Sequence, residues 1–137
     1  MRIETTILSN LVHNEEYARK VIPFLNQAYF SDFIEKNIFI SIDNYVQKYN
    51  NSPDVEALNI DLQKTTLNED QYKSVQEYVG TLKPSKVDFQ WLLDETEKWC
   101  KDRAIYNAIF TGIQIIDGKD KQKTPEAIPD ILTDALG

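Results

Sequence analysis

The stretch that decides the fold is 88-DFQWLLDETEKWCKDRAIYNAIFTGIQIID-117. It contains no proline, and at ~1.5 Å rise per residue it predicts one helix roughly 45 Å long. Its apolar residues follow helical spacing, but the apolar side changes near residue 105. Before that point the apolar side carries Phe89, Leu92, Leu93, Thr96, Trp99 and Cys100, and after it the other side carries Ile105, Ile109, Gly112 and Ile116. Two apolar sides predict packing against two different bodies.

The rest of the chain also predicts helices, separated by short breaks. Four helix starts are indicated by capping residues: Asn14; Asp32 with Glu35 in a capping box; Ser52 with Pro53 as the first helical residue; and Asn68 with Gln71. The segment 38–42 alone would also suit a strand, but the apolar pattern continues to Tyr49 without a turn residue, which favours a helix. After Gly118, a natural helix stop, a last short helix is expected to begin near Pro129.

We therefore predict an all-α fold, with a compact helical head at residues 1–86 followed by a projecting helical hairpin at residues 87–137. The chain of 137 residues is long enough for one hydrophobic core. The net charge of −7 argues against a surface that holds phosphates, so DNA contact by this chain is disfavoured.

Cysteine usage and the hydropathy pattern bear on the compartment. The single Cys100 cannot form an internal disulfide, which fits a reducing compartment. We find no signal-like N-terminus and no run of ~18 apolar residues, so neither secretion by that route nor a membrane span is expected. A cytoplasmic protein is the prediction.

The sequence offers no candidate catalytic or metal site. It has no GxxxxGK[ST] run, so we expect no ATP site, and His13 is the only histidine. Four acids (Asp94, Glu95, Glu97 and Asp102) interleave with basic residues, a pattern typical of a solvated helix surface. We expect no catalytic residue, metal ion or cofactor in this chain.

One chemical signal is left, which is the apolar side of the long helix after residue 105. Its isoleucines represent ~1.5–3 kcal/mol each if buried, or roughly 6–12 kcal/mol for four. Either internal packing against the last helix or a second copy of the chain would cover them, and we favour an interaction module. The residues expected at a subunit interface are Ile105, Ile109, Gly112, Ile113, Ile116, Ile128, Ile131, Leu132 and Leu136.

The turn after the long helix carries three lysines, Lys119, Lys121 and Lys123. They could contact a partner or nucleic acid, or they could form a solvated tip. The pattern favours the solvated tip.

Several motifs together resemble the N-terminal domain of DnaB-type replicative helicases. In order and spacing they are Glu4-x-x-Ile7-Leu8-x-x-Leu11, the Asn14 turn, Tyr29-Phe30, Ile38-Phe39 and Ser52-Pro53-Asp54 before Leu58. The later part is similar to the T-even-like phage branch of that family, in Glu95-Thr96-Glu97-Lys98, Arg103-Ala104, Asn107-Ala108 and Ala127-Ile128-Pro129-Asp130-Ile131.

The resemblance implies a collar domain that forms dimers within a hexamer and docks primase. ATP, Mg²⁺ and DNA unwinding would belong to a C-terminal motor domain that is absent from this chain, which ends at Gly137. We therefore expect a non-catalytic part of a phage-encoded, ATP-dependent DNA helicase that acts in the host cytoplasm. The alternative is a stand-alone helical adaptor or inhibitor.

Overall fold

Every regular element in residues 2–137, the part that the computed structural model describes, is a helix. The predicted all-α class is therefore confirmed, and the segment 38–42 is helical. Seven α-helices follow in order: α1 Ile3–His13, α2 Glu15–Val21, α3 Phe33–Tyr49, α4 Val55–Gln63, α5 Glu69–Val79, α6 Phe89–Ile116 and α7 Ile128–Leu136. Short 3-10 turns lie at Ile22–Phe24, Gln27–Tyr29 and Pro125–Ala127.

Side-chain caps begin five of these helices. In each, a side-chain oxygen accepts from a backbone N–H three residues later, which satisfies a donor that the helix itself leaves free. At α5 the predicted cap is extended to a full capping box, because Gln71 Oε1 also accepts from the backbone N–H of Asn68 at 3.0 Å. The capping residues are Asn14, Asp32, Asp54, Asn68 and Asp88.

The predicted start of α4 is wrong by two residues. Asp54, not Ser52, is the cap: its Oδ1 accepts from the N–H of Ala57 at 2.7 Å. Pro53 is buried before the cap instead of opening the helix. The carboxylate of Asp54 is a strong acceptor and is itself favoured at a helix N-terminus, which explains why it replaces the hydroxyl of Ser52.

The chain divides into two compact units, residues 1–96 and 97–137. Whether the head and hairpin predicted from the sequence act as functional parts stays a prediction. In the first unit α1 packs on α2 and α3, and α3 packs on α4 and α5. Its largest fully buried apolar side chains are Ile7, Leu8, Leu11, Tyr17, Phe30, Ile38, Phe39, Ile42, Leu58, Leu62 and Leu92.

The first turns of α6 belong to this core. Leu92 and Thr96 are both buried, and Thr96 Oγ1 donates to the carbonyl of Leu92 at 2.7 Å. The same hydroxyl forms a buried hydrogen bond of 2.7 Å with the Tyr17 hydroxyl of α2. A polar residue on the apolar side of α6 is therefore accommodated by pairing rather than by exposure.

In the second unit α6 ends at Ile116, two residues before the glycine that the sequence indicated as a stop. Gly118 has φ +73°, a left-handed conformation that glycine adopts without steric cost, and its N–H donates to the carbonyl of Ile115. The last helix, α7, has Pro129 in its first turn, as predicted. Across residues 2–137, none of the helices has the length and apolar character needed to cross a membrane.

Candidate interaction surface

One side of the second part of α6 is covered by the chain itself. Ala108, Gly112 and Ile115 are buried there at helical spacing. A Cβ added at Gly112 would lie 3.7 Å from Ile128 Cγ2, so α7 lies on this side. Gly112 therefore lies beside a residue of the chain's own last helix, and its place at a subunit interface stays a prediction.

A neighbouring side of α6 is left exposed. Tyr106, Ile109, Phe110, Ile113 and Ile116 lie there at spacings of three and four residues, and each is between 49% and 70% exposed. We call these five residues the α6 stripe. Contiguous exposed apolar side chains of this size are typical of protein interaction surfaces.

The other residues of the predicted interface differ in how far their side chains are exposed. Leu132 and Leu136 of α7 are exposed, the latter at 74%. The side chains of intermediate exposure are Ile105, Ile128 and Ile131. The structure therefore leaves part of the predicted set exposed and part half-buried, and its place at a subunit interface stays a prediction.

Tyr106 and Phe110 were not predicted as interface residues. They lie at the border of the apolar side in the sequence pattern, and their spacing of four residues next to the isoleucines was the available signal. The guanidinium carbon of Arg103 lies 4.7 Å from the centre of the Tyr106 ring, which fits a cation–π contact.

The lysine turn has a defined backbone. Asp120 Oδ1 accepts from the N–H groups of Gln122 and Lys123 at 2.9 and 3.2 Å, which fixes the turn as an Asx motif. The side chains of Lys119, Lys121 and Lys123 are exposed, and the nearby acids Asp117, Asp120 and Glu126 balance their charge. The three lysines alone therefore do not make this turn a strongly basic surface.

Two titratable groups, Cys100 and Glu97, could suggest chemistry, but their surroundings do not indicate a reactive role. Cys100 is buried, and burial, with a smaller contribution from Glu97, raises the pKa of its thiol to about 12. A thiol with that pKa is a poor nucleophile at neutral pH. Glu97 itself pairs with Lys101 at 3.1 Å on an exposed surface, as the sequence pattern indicated.

The first unit contains one buried carboxylate that sequence reasoning missed. Glu35 is 1% exposed; its Oε2 accepts from Arg2 Nη1 at 2.8 Å and from the Tyr78 hydroxyl at 2.6 Å. Within residues 2–137, its Oε1 has no hydrogen-bond partner. The available signal was its position three and four residues before the core residues Ile38 and Phe39, which lie on the same side of α3.

Burial is the main cause that raises the pKa of Glu35, and the Tyr78 and Arg2 contacts oppose it. Burial and the hydrogen bond to Glu35 also raise the pKa of Tyr78, whose hydroxyl forms a further hydrogen bond of 2.7 Å with Thr5 Oγ1. Because Glu35 is almost completely enclosed and these partners come from α1, α5 and the chain start, the cluster joins helices rather than presenting a reactive group.

Comparison with known proteins indicates the class of protein to which the chain is similar. No known protein-family profile matches the chain. The chain is, however, similar to a replicative helicase of the DnaB type, which confirms the resemblance carried by its motifs. That relative is the DnaB-like replicative helicase of Enterobacteria phage T4, which is 36% identical over 138 residues covering 95% of this chain. The chain spans 29% of the length of this relative.

Proposed function

We propose that this chain is the non-catalytic N-terminal collar domain of a hexameric replicative DNA helicase. It pairs subunits into dimers within the hexamer and provides the docking site for primase in the host cytoplasm. Unwinding by nucleotide hydrolysis, with ATP and Mg²⁺, takes place in a separate C-terminal motor domain. The similarity to the T4 helicase supports this proposal, because it covers a domain-sized 29% of that protein.

The observation that carries the pairing role is the exposed α6 stripe. Ile109, Ile113 and Ile116 are each about half exposed or more. At ~1.5–3 kcal/mol for a whole side chain, covering their exposed parts would contribute roughly 2–5 kcal/mol as an upper estimate. That corresponds to about 30- to 5,000-fold in an association constant, enough to convert a weak encounter into a stable pair.

A second copy is the partner that the charge distribution favours. Acidic and basic side chains nearly balance within residues 97–137, whereas the whole chain has a net charge of −7. Two copies of the second unit can therefore approach each other without strong electrostatic repulsion. A surface that pairs with itself is also the usual arrangement in dimers of identical subunits.

Replacing Ile109 with glutamate tests the pairing role. The variant places a charge in the stripe, so we expect static light scattering to show a lower mass than for the wild-type chain. Because the side chain is 50% exposed, the thermal unfolding midpoint should change little. Gln76→Glu is the matched control, since it adds the same charge at an exposed position of α5.

An Ile109→Glu chain with unchanged mass, or a wild-type chain that stays monomeric at high concentration, would overturn the pairing role. A separate observation tests the motor domain: the parent gene should encode a Walker A motif beyond codon 137. A stand-alone adaptor predicts a stop codon there instead.

A further inference from the structure

A cavity opens on the first unit between α2 and the C-terminal end of α3. Its volume is about 250 Å³. Ala18, Ile22 and Val46 supply an apolar floor, and Glu15, Arg19 and Gln47 are polar residues of its lining. We call it the α2/α3 groove. Pockets for whole small molecules measure roughly 300–1,000 Å³, so this one fits a single side chain of a larger partner better.

The surroundings of the groove favour a protein partner. Ala18 and Ile22 are buried and Val46 is half-buried, so a side chain entering here meets apolar surface. An apolar hollow with polar residues in its lining is the arrangement that receives an anchoring side chain in protein interfaces.

The charges favour a basic segment in that partner. Residues 1–96 carry almost all of the chain's net charge of −7. Beside the groove, the last carbonyl groups of α3 place partial negative charge at the helix C-terminus. Within the groove the carboxylate of Glu15 pairs with Arg19 at 3.1 Å on an exposed surface, where such a pair is weak and a second cation can compete for the carboxylate.

We propose that the α2/α3 groove is the docking site for a basic, amphipathic segment of a protein partner. One apolar side chain of the segment packs on Ala18, Ile22 and Val46, and its basic side chains lie near Glu15 and the end of α3. The inference rests on the proposed function, in which the docking partner is primase. It locates docking on the first unit rather than at the turn 119–123, where nearby acids balance the charge of the lysines.

Charge reversal at the rim tests this inference with changes of opposite sign. Glu15→Lys should weaken binding of purified primase, and Arg19→Glu should strengthen it, each by roughly twofold to fivefold, as for one exposed charge pair. Glu56→Lys and Lys73→Glu are matched controls that make the same charge changes at exposed positions of α4 and α5. Calorimetric titration at two salt concentrations measures the affinities, and the differences should shrink at the higher one.

Filling the groove is an independent test. Gln47→Trp extends an exposed side chain over the apolar floor and should weaken primase binding by roughly tenfold or more. Circular dichroism of each variant checks that the helices are retained.

The outcomes separate the two proposals. If primase binds the wild-type chain but the groove variants bind like their controls, the groove inference is overturned and the docking role stands. Loss of binding only when Lys119, Lys121 and Lys123 are replaced by glutamate has the same consequence. If primase does not bind the wild-type chain at all, the docking role fails and the groove inference fails with it.

Discussion

Replacing Glu35 with glutamine should destabilise the chain less than removing the tyrosine hydroxyl that contacts it. In Tyr78→Phe the carboxylate of Glu35 stays buried and loses the donor at 2.6 Å. A hydrogen bond to a charged group contributes ~1.5–3 kcal/mol, so the free energy of unfolding should fall by about that amount.

Glu35→Gln removes the charge itself. The raised pKa of Glu35 means that its surroundings, burial above all, disfavour the ionised form despite the contact with Arg2. Glutamine keeps an acceptor for the Tyr78 hydroxyl and needs no desolvation of a charge. We therefore expect its free energy of unfolding at pH 7 to lie within about 1 kcal/mol of the wild-type value.

The two proteins should also respond differently to acid. Because the pKa of Glu35 is higher in the folded chain than its ordinary value of 4.5, the folded state binds a proton more readily than the unfolded state. This group therefore stabilises the wild-type chain increasingly as pH falls through the raised pKa toward 4.5, and the contribution is lost again as pH rises. Glu35→Gln lacks this contribution.

Urea unfolding followed by circular dichroism at a series of pH values measures both effects. The unfolding free energy of wild type minus that of Glu35→Gln should increase on acidification and level off below pH 4.5. The reasoning is refuted if Glu35→Gln is less stable than Tyr78→Phe at pH 7, or if the difference decreases on acidification.

Three further predictions concern single positions in or beside helices and use the same unfolding assay. Asn68→Ala removes the cap of α5 and should lower the free energy of unfolding by about 1 kcal/mol, whereas an unchanged value would mean that water replaces the cap. Gly112→Ala should raise it by ~0.5–1 kcal/mol, because the added methyl meets Ile128 at an ordinary contact distance of 3.7 Å, and a loss would contradict that spacing. Gly118→Ala should lower it by ~1–2 kcal/mol, because φ is +73° there, and a neutral result would contradict the left-handed conformation.

The helix starts could largely be read from the sequence because capping is a local property. Asn14, Asp32 and Asn68 each cap a helix by accepting from the backbone N–H of the residue three positions later. A pattern of four consecutive residues is therefore enough to indicate such a cap. The wrong prediction of Ser52 as the cap of α4 also follows from the local nature of capping. Ser52 and Asp54, two positions apart, can both cap, and in the structure it is the carboxylate of Asp54 that accepts from the N–H of Ala57.

Features built from distant residues could not be predicted in this way. Glu35 was expected to complete a local capping box with Asp32, but its carboxylate binds Arg2 and Tyr78, which are 33 and 43 residues away. The α2/α3 groove likewise depends on how two helices pack. Helical spacing gives the side of a helix on which a residue lies, but it does not give the element that covers that side.

The side-chain caps of α2 to α6 have a consequence for folding. Each cap joins residues only three positions apart, so it can form before any tertiary contact and without waiting for a distant segment. The helix starts in residues 14–91 are therefore specified by contacts between residues that are close in sequence. We expect substitutions in the core of the first unit to loosen the packing while these helices keep their starting points, as in a compact acid state that retains helical circular dichroism.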